Sequence, residues 1–195
     1  MKNREYDSYD LYVEHQKKKT LGILKRTGKS QKSIDRVNIR TKRFVHKFQF
    51  LSNILKRGAH SLCLGARRGE EVVALKSMGY KAVGIDLVAF PPHVIQGDFH
   101  DLPFKDNHFS FVYSNAVDHV FDLKPFSAEI DRVVKKGGYV FFHLSLKMWS
   151  EEMSLGLKSS TEVSEYFTNF SVVSKKKIKP WGGGLNCILL MKKMR

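Results

Sequence analysis

From Gly58 onward, short apolar runs alternate with segments of helical character. Runs near 60–64, 81–86, 109–114, 138–144, 170–176 and 185–192 have the length and composition of strands, and a weaker one lies near 94–96. That alternation predicts βαβ units and a mostly parallel sheet. Upstream the pattern is helical. Ile39, Phe44, Val45, Phe48, Leu51 and Leu55 recur at spacings of three to five and build one apolar stripe, with Arg40, Lys42, Arg43 and Lys47 off it. The rings of Phe44, Phe48 and Phe50 fall on the stripe, so they read as core and not as stacking platforms. Residues 1–28 are polar and basic, broken at Gly22 and Gly28 and carrying Lys17-Lys18-Lys19. They read as a partly helical or mobile arm, dispensable for folding. The boundary falls between a basic N-terminal helical extension, residues 1–57, and an α/β domain, residues 58–195.

Composition narrows the class. At 195 residues and 42% hydrophobic, the chain can bury one good core and is not disordered. It has no apolar run long enough to cross a bilayer, so no transmembrane segment is expected. Its first residues lack the apolar stretch of a signal peptide. Cys63 and Cys187 form no CxxC pair and suggest neither a disulfide framework nor a zinc site. A cytoplasmic protein in a reducing compartment is expected. The net charge of +15 is unevenly placed. Residues 1–58 hold sixteen basic and five acidic side chains, a net +11, and the remainder hold eighteen and fourteen, a net +4. The basic region is either a solubilising surface or a capture device for an acidic substrate or nucleic acid.

Four segments carry candidate chemistry. His60-Ser61-Leu62-Cys63-Leu64-Gly65-Ala66-Arg67-Arg68-Gly69 runs from an apolar strand into a glycine turn, and a helix follows. Gly65 permits a tight turn close to a ligand, and Gly69 stands where free N–H groups at a helix start favour an anion. The strand Ala82-Val83-Gly84-Ile85-Asp86 ends on a carboxylate 21 residues after Gly65, followed by Leu87. In dinucleotide-binding α/β folds such an acid bonds ribose hydroxyls. In Gly97-Asp98-Phe99, Asp98 can accept from an exocyclic amine, and Phe99 offers an apolar face to adenine. The strand Phe109–Ser114 delivers Asn115, Asp118 and His119 near its carboxyl end, where open α/β sheets place ligands.

The order of these segments resembles the class I S-adenosylmethionine (SAM)-dependent methyltransferases, of the type 11-like group. The matching pieces are Gly97 to Phe104, Phe109 to Val112, Asp118-His119 and Lys135-Lys136-Gly137-Gly138. Leu64-Gly65-Ala66-Arg67 and Phe90-Pro91-Pro92 look like a little-characterised subgroup known best from plants. The resemblance implies a Rossmann-like, seven-stranded, mostly parallel sheet with helices on both faces. It also implies a C-terminal antiparallel hairpin from 170–176 and 185–192, joined through Pro180-Trp181-Gly182-Gly183-Gly184. The cofactor it implies is SAM, held by Gly65, Ala66, Arg67, Gly69, Asp86, Leu87, Gly97, Asp98, Phe99 and Asn115. Two positions depart from the family, which usually has an acid at Cys63 and a glycine at Arg67. Arg67 leaves less room for a pyrophosphate, and Arg67 or Arg68 can meet the methionine carboxylate instead.

Methyl transfer needs an aligned acceptor and, for a protonated one, a base. His119 is the first candidate, with Asp118 orienting it or the acceptor, Asn115 positioning, and His143 a second candidate. The resemblance disfavours exocyclic amines of bases, because Asn115-Ala116-Val117-Asp118 replaces that signature. A small-molecule, glycan or lipid acceptor is the first expectation, and RNA or other nucleic acid bound through the basic region is the alternative. A nucleic-acid-binding protein with a secondary α/β core, and a nucleotide-dependent oxidoreductase, are the competing classes. The absence of G-x-G-x-x-G argues against the last.

Overall fold

The structure is a computed structural model that describes residues 5–27, 31–148, 153–182 and 184–195. The expected strands all form. They are β1 (His60–Leu64), β2 (Lys81–Asp86), β3 (Val94–Gln96), β4 (Phe109–Ser114), β5 (Val134–Leu144), β6 (Phe170–Trp181) and β7 (Leu185–Lys193). They make one sheet in the order β3-β2-β1-β4-β5-β7-β6. The first five strands pair in parallel. β7 runs antiparallel to both β5 and β6, and so closes the sheet as the C-terminal hairpin. Pro180 falls in β6, an edge strand, where a missing ladder donor is tolerated.

The helices are α1 (Tyr9–Thr27), α2 (Gln31–Phe48), α3 (Glu70–Ser77), α4 (Leu123–Val133) and the short α5 (Ser160–Ser164). Alternation along the central strands separates two cores. Leu62, Leu64, Val112, Val140 and Phe142 pack with Phe126, Ile130 and Val133 of α4 and Val163 of α5. Cys63, Phe111, Tyr113 and Phe141 pack with Phe44 and Phe48 of α2 and with Val72 and Leu75 of α3. Period-two side chains on the strands meet apolar helix stripes on each face, which is why the sheet is covered on both sides.

Two details differ from the sequence pattern. β5 begins at Val134, directly after α4, so Gly137-Gly138 does not separate helix from strand. The pair lies within β5, where the pairing with β4 shifts register and Gly137 has a φ of +77°. A bulge absorbs the glycines. On α2, Phe44 and Phe48 are fully buried as the stripe predicts, but Ile39 is 51% exposed. The stripe ends before Ile39 because the core against which α2 packs ends there.

Candidate functional site

The sheet order turns back between β1 and β4, so their carboxyl ends open a crevice. The turn after β1 closes on the end of β2. The Gly65 and Ala66 N–H groups donate to the Ile85 carbonyl at 2.9 and 3.1 Å, and the Arg67 N–H donates to Asp86 Oδ2 at 3.0 Å. Gly65 has a φ of +68°, and a Cβ there would stand 2.7 Å from Ala116 Cβ. Arg67 itself has a φ of +44°. The left-handed backbone that suits glycine persists at Arg67, held by its bond to Asp86.

Two neighbouring cavities flank this turn. The larger, about 640 Å³, is lined by Gly65, Ala66 and Arg67 from the turn, and by Asn115, Asp118 and His119 beyond β4. The smaller, about 50 Å³, lies under α1 and is lined by Gly65, Arg67, Asp86, Leu87, Phe99 and His119. Most of the expected site residues therefore converge. Gly69, Gly97 and Asp98 do not line either cavity. A Cβ at Gly69 would stand 2.9 Å from His93 Cβ, and one at Gly97 would run into Ile85, so both glycines serve close packing. Arg68 lies apart from the two cavities, in a groove with Ile23, Arg36 and Val37.

The charged groups have definite partners. Asp86 is 8% exposed and also accepts the Val88 N–H at 3.3 Å. Burial pushes its pKa up, against the opposing pull of the Arg67 and Val88 N–H groups and the nearby Arg67 and Lys19 charges. Burial acts in the same direction on Asp98, but bonds from His100 and Tyr9 outweigh it and hold that carboxyl below its usual range. His100 binds Asp98 through its backbone N–H at 2.8 Å and its Nδ1 at 3.0 Å, and the Tyr9 hydroxyl donates to the same carboxylate. His119 Nδ1 lies 3.3 Å from Lys19 Nζ, and its Nε2 lies 4.0 Å from Asp118 Oδ2. His143 does not reach either cavity. It is 2% exposed, its Nδ1 is 3.0 Å from the Tyr113 hydroxyl, and burial followed by the Lys47 charge pushes its pKa down to about 3. A histidine that stays neutral in an aromatic core is a packing residue, which removes it as a second base.

Sequence reasoning missed three contributors. First, α1 is a regular helix seated on the site, not a loose arm. Tyr12 is 1% exposed and donates its hydroxyl to the His119 carbonyl at 3.0 Å, and Gln16 and Thr20 are buried below it. The signal was a spacing of four through Tyr12, Gln16 and Thr20, masked by the lysines between them. Second, Glu70 and Glu71, in the first turn of α3, line the larger cavity with Arg40 and Arg67. Glu71 is 3% exposed, and burial followed by the Glu70 charge raises its pKa to about 8. Glu71 also lies beside Cys63, whose thiol is pushed up by burial and by that carboxyl. Third, Ser145 and Trp181 line the same cavity. Their Oγ and Nε1 are buried with no hydrogen-bond partner among the described residues.

Comparison with known proteins supports the fold. Residues 62–142 match the family model described as a methyltransferase domain. No curated protein matches the chain. A SAM-dependent methyltransferase from Methanosarcina mazei superposes with a TM-score of 0.64 at 16% identity, over 74% of this chain and 97% of its own. A methyltransferase from Haloferax volcanii, solved with the Trm112 activator, gives 0.62 at 19% identity, over 82% and 93%. The Burkholderia thailandensis 1,6-didemethyltoxoflavin-N1-methyltransferase, with its substrate and S-adenosylhomocysteine bound, gives 0.61 at 14% identity, over 80% and 79%. Residues 62–142 thus match a methyltransferase domain model, and the sheet has the seven-stranded fold seen in solved SAM-dependent methyltransferases.

Proposed function

We propose that the protein transfers a methyl group from SAM to a nucleophile presented in the larger cavity. The observation that carries this reading is the junction at Gly65, Arg67 and His119, which line both cavities at the carboxyl ends of β1 and β4. The donor set fits the cofactor's two ends. Asp86 keeps lone pairs for ribose hydroxyls, and Phe99 lies beside it as an apolar face. On the methionine side, Glu70 and Glu71 face an ammonium, and Arg40 and Arg67 face a carboxylate. Glu71 supplies an acid close to Cys63, the position at which the resembling enzymes carry one.

SAM supplies an activated methyl on a sulfonium. When bound, it would offer that methyl to an acceptor lone pair, with the C–S electron pair kept by sulfur as a neutral thioether. The chain aligns the two partners, excludes water and takes a proton where the acceptor carries one. His119 lines the cavity junction and is the candidate for that proton, its Nδ1 3.3 Å from Lys19 Nζ and its Nε2 4.0 Å from Asp118 Oδ2. Asn115 lines the same wall and positions the acceptor. A space of about 50 Å³ beneath α1 holds one or two waters and no nucleoside. Cofactor entry therefore requires α1 to move outward, releasing the Tyr9 hydroxyl from Asp98 so that this carboxylate can meet the adenine amine.

Titration calorimetry with SAM, S-adenosylhomocysteine and NAD tests the reading. Heat with both sulfur ligands and none with NAD is expected, and the reverse pattern overturns it. For the acceptor, a small molecule, glycan or lipid fits the cavity itself. The basic lining outside it favours an anionic acceptor.

A further inference from the structure

The N-terminal charge that α1 does not use is gathered on α2. Arg36, Arg40, Arg43 and Lys47 are spaced four, three and four residues apart, which puts them on one face of the helix over a length of about 16 Å. Arg36, Arg40 and Arg43 are exposed and Lys47 is half-buried. This row borders three adjoining depressions. One groove is lined by Arg36, Arg40 and Arg43. The reaction cavity follows, lined by Arg40 and Arg43. A second groove, lined by Arg43, Lys47, Lys179 and Trp181, completes the path. Arg40 and Arg43 belong to the first two depressions, and Arg43 and Trp181 to the last two, so the three form one trough passing the mouth of the cavity. Glu70, 3.6 Å from Arg40 Nε, is the one carboxylate lining either outer groove among the described residues.

We propose that this trough holds a single-stranded phosphodiester chain, a strand of nucleic acid that presents one nucleotide to the cavity as the methyl acceptor. A row of cations a helical turn apart gives successive phosphates their own partners. The cations run in a single line along one helix face past the cavity mouth, which suits a linear polyanion better than a broad anionic bilayer. A neutral glycan would not use its charge. Inside, the buried Ser145 hydroxyl and Trp181 indole N–H lack partners among the described residues, and a buried polar group without a partner costs stability until one arrives. The polar edge of a nucleotide supplies one. The acceptor role rests on the methyltransferase reading, and the binding does not.

The test is fluorescence anisotropy with a labelled single-stranded RNA of about 20 nucleotides, measured across a salt series. The wild-type protein should bind with a log K against log salt slope of about −3, from roughly −0.7 for each of four cations. The triple variant Arg36→Gln, Arg43→Gln, Lys47→Gln should flatten that slope by about 2 and weaken binding on the order of 100-fold at 0.1 M salt. Arg36→Gln alone, an exposed change that leaves the core untouched, should cost about fivefold. A charge-matched control at exposed sites outside the trough, Lys105→Gln, Lys135→Gln, Lys136→Gln, should lose far less. Equal losses in the two triple variants would show attraction to net charge alone and overturn the proposal. So would absent RNA binding, or stripe-dependent binding to phosphatidylserine vesicles without binding to RNA. SAM titration of the same proteins separates the two readings. SAM heat without stripe-dependent RNA binding defeats this proposal alone, whereas stripe-dependent RNA binding without SAM heat defeats the acceptor role and the methyltransferase reading together.

Discussion

Glu71 makes the pH dependence of stability informative. Its pKa rises from 4.5 to about 8 on folding, chiefly by burial and then by the Glu70 charge. The folded state therefore binds more protons than the unfolded state between those values, and stability falls as pH rises through the interval. The full interval corresponds to at most about 5 kcal/mol, and the part already lost at pH 7 is about 3 kcal/mol. His143 acts in the other direction. Its pKa falls from 6.5 to about 3, so its contribution is present above 6.5 and is lost on acidification toward 3. The two oppose each other between 4.5 and 6.5, and Glu71 acts alone between 6.5 and 8. Glu71→Gln keeps the shape and removes the charge. Denaturant unfolding at a series of pH values, without ligand, should show wild-type stability declining from pH 6.5 to 8.5 and the variant nearly flat over that range. SAM should reverse the penalty, because its ammonium favours ionised Glu71, and binding at pH 7 should release a proton. Calorimetry in buffers of different ionisation enthalpy reads that proton directly. Parallel stability curves for the two proteins, together with no proton release, would refute the placement of Glu71.

Other expectations follow from single contacts. Tyr9→Phe removes the hydroxyl that occupies Asp98, so SAM should bind more tightly, by about 1 kcal/mol, and weaker binding would show that the tyrosine helps hold the ligand. Asp86→Ala should weaken SAM binding by about 1.5–3 kcal/mol in a folded protein, and an unchanged dissociation constant would make Asp86 a purely structural tie for the Arg67 and Val88 N–H groups. Phe48→Ala should cost about 3–5 kcal/mol of stability by thermal or denaturant melting, because the ring is fully buried against Tyr113, with ring centroids 4.9 Å apart. Deleting residues 1–28 should raise SAM affinity, because α1 no longer has to move to open the cavity beneath it, and unaltered or weaker affinity would show that α1 does not stand in the cofactor's way.

The sheet was legible because each strand carries its own short apolar run and its turn residues are local. β1, β2, β3 and β4 form at the positions the pattern marks. The hairpin was legible through its glycine-rich connection. The cavity lining was legible where a residue lies on the turn or strand end that builds it, as with Gly65, Asp86 and His119. It was not legible where the role depends on what packs from far along the chain. Gly69 and Gly97 look like ligand-approach glycines, yet His93 and Ile85 occupy the space beside them. Glu71 sits in an ordinary first helical turn, and only its burial beside Cys63 distinguishes it. His143 ends a strand as a base would, and the aromatic cluster of Tyr113, Phe141 and Trp181 around it is invisible in local sequence.

The N-terminal charge shows how one composition signal can hold two different structures. Summed over residues 1–58, a net +11 suggests a single basic arm. The structure divides it by helix face. α1 turns Tyr12, Gln16 and Thr20 inward and places Lys19 at His119, so one of its cations lies at the proposed base. α2 turns Phe44 and Phe48 inward, and that anchoring fixes the row from Arg36 to Lys47 at the cavity mouth. A mobile arm would hold a polyanion only by average charge, whereas a helix pinned by two buried rings holds its cations at set spacings. The same reasoning assigns the two helices to different events. On the proposed reading, movement of α1 would admit the cofactor and the fixed α2 surface would select the acceptor.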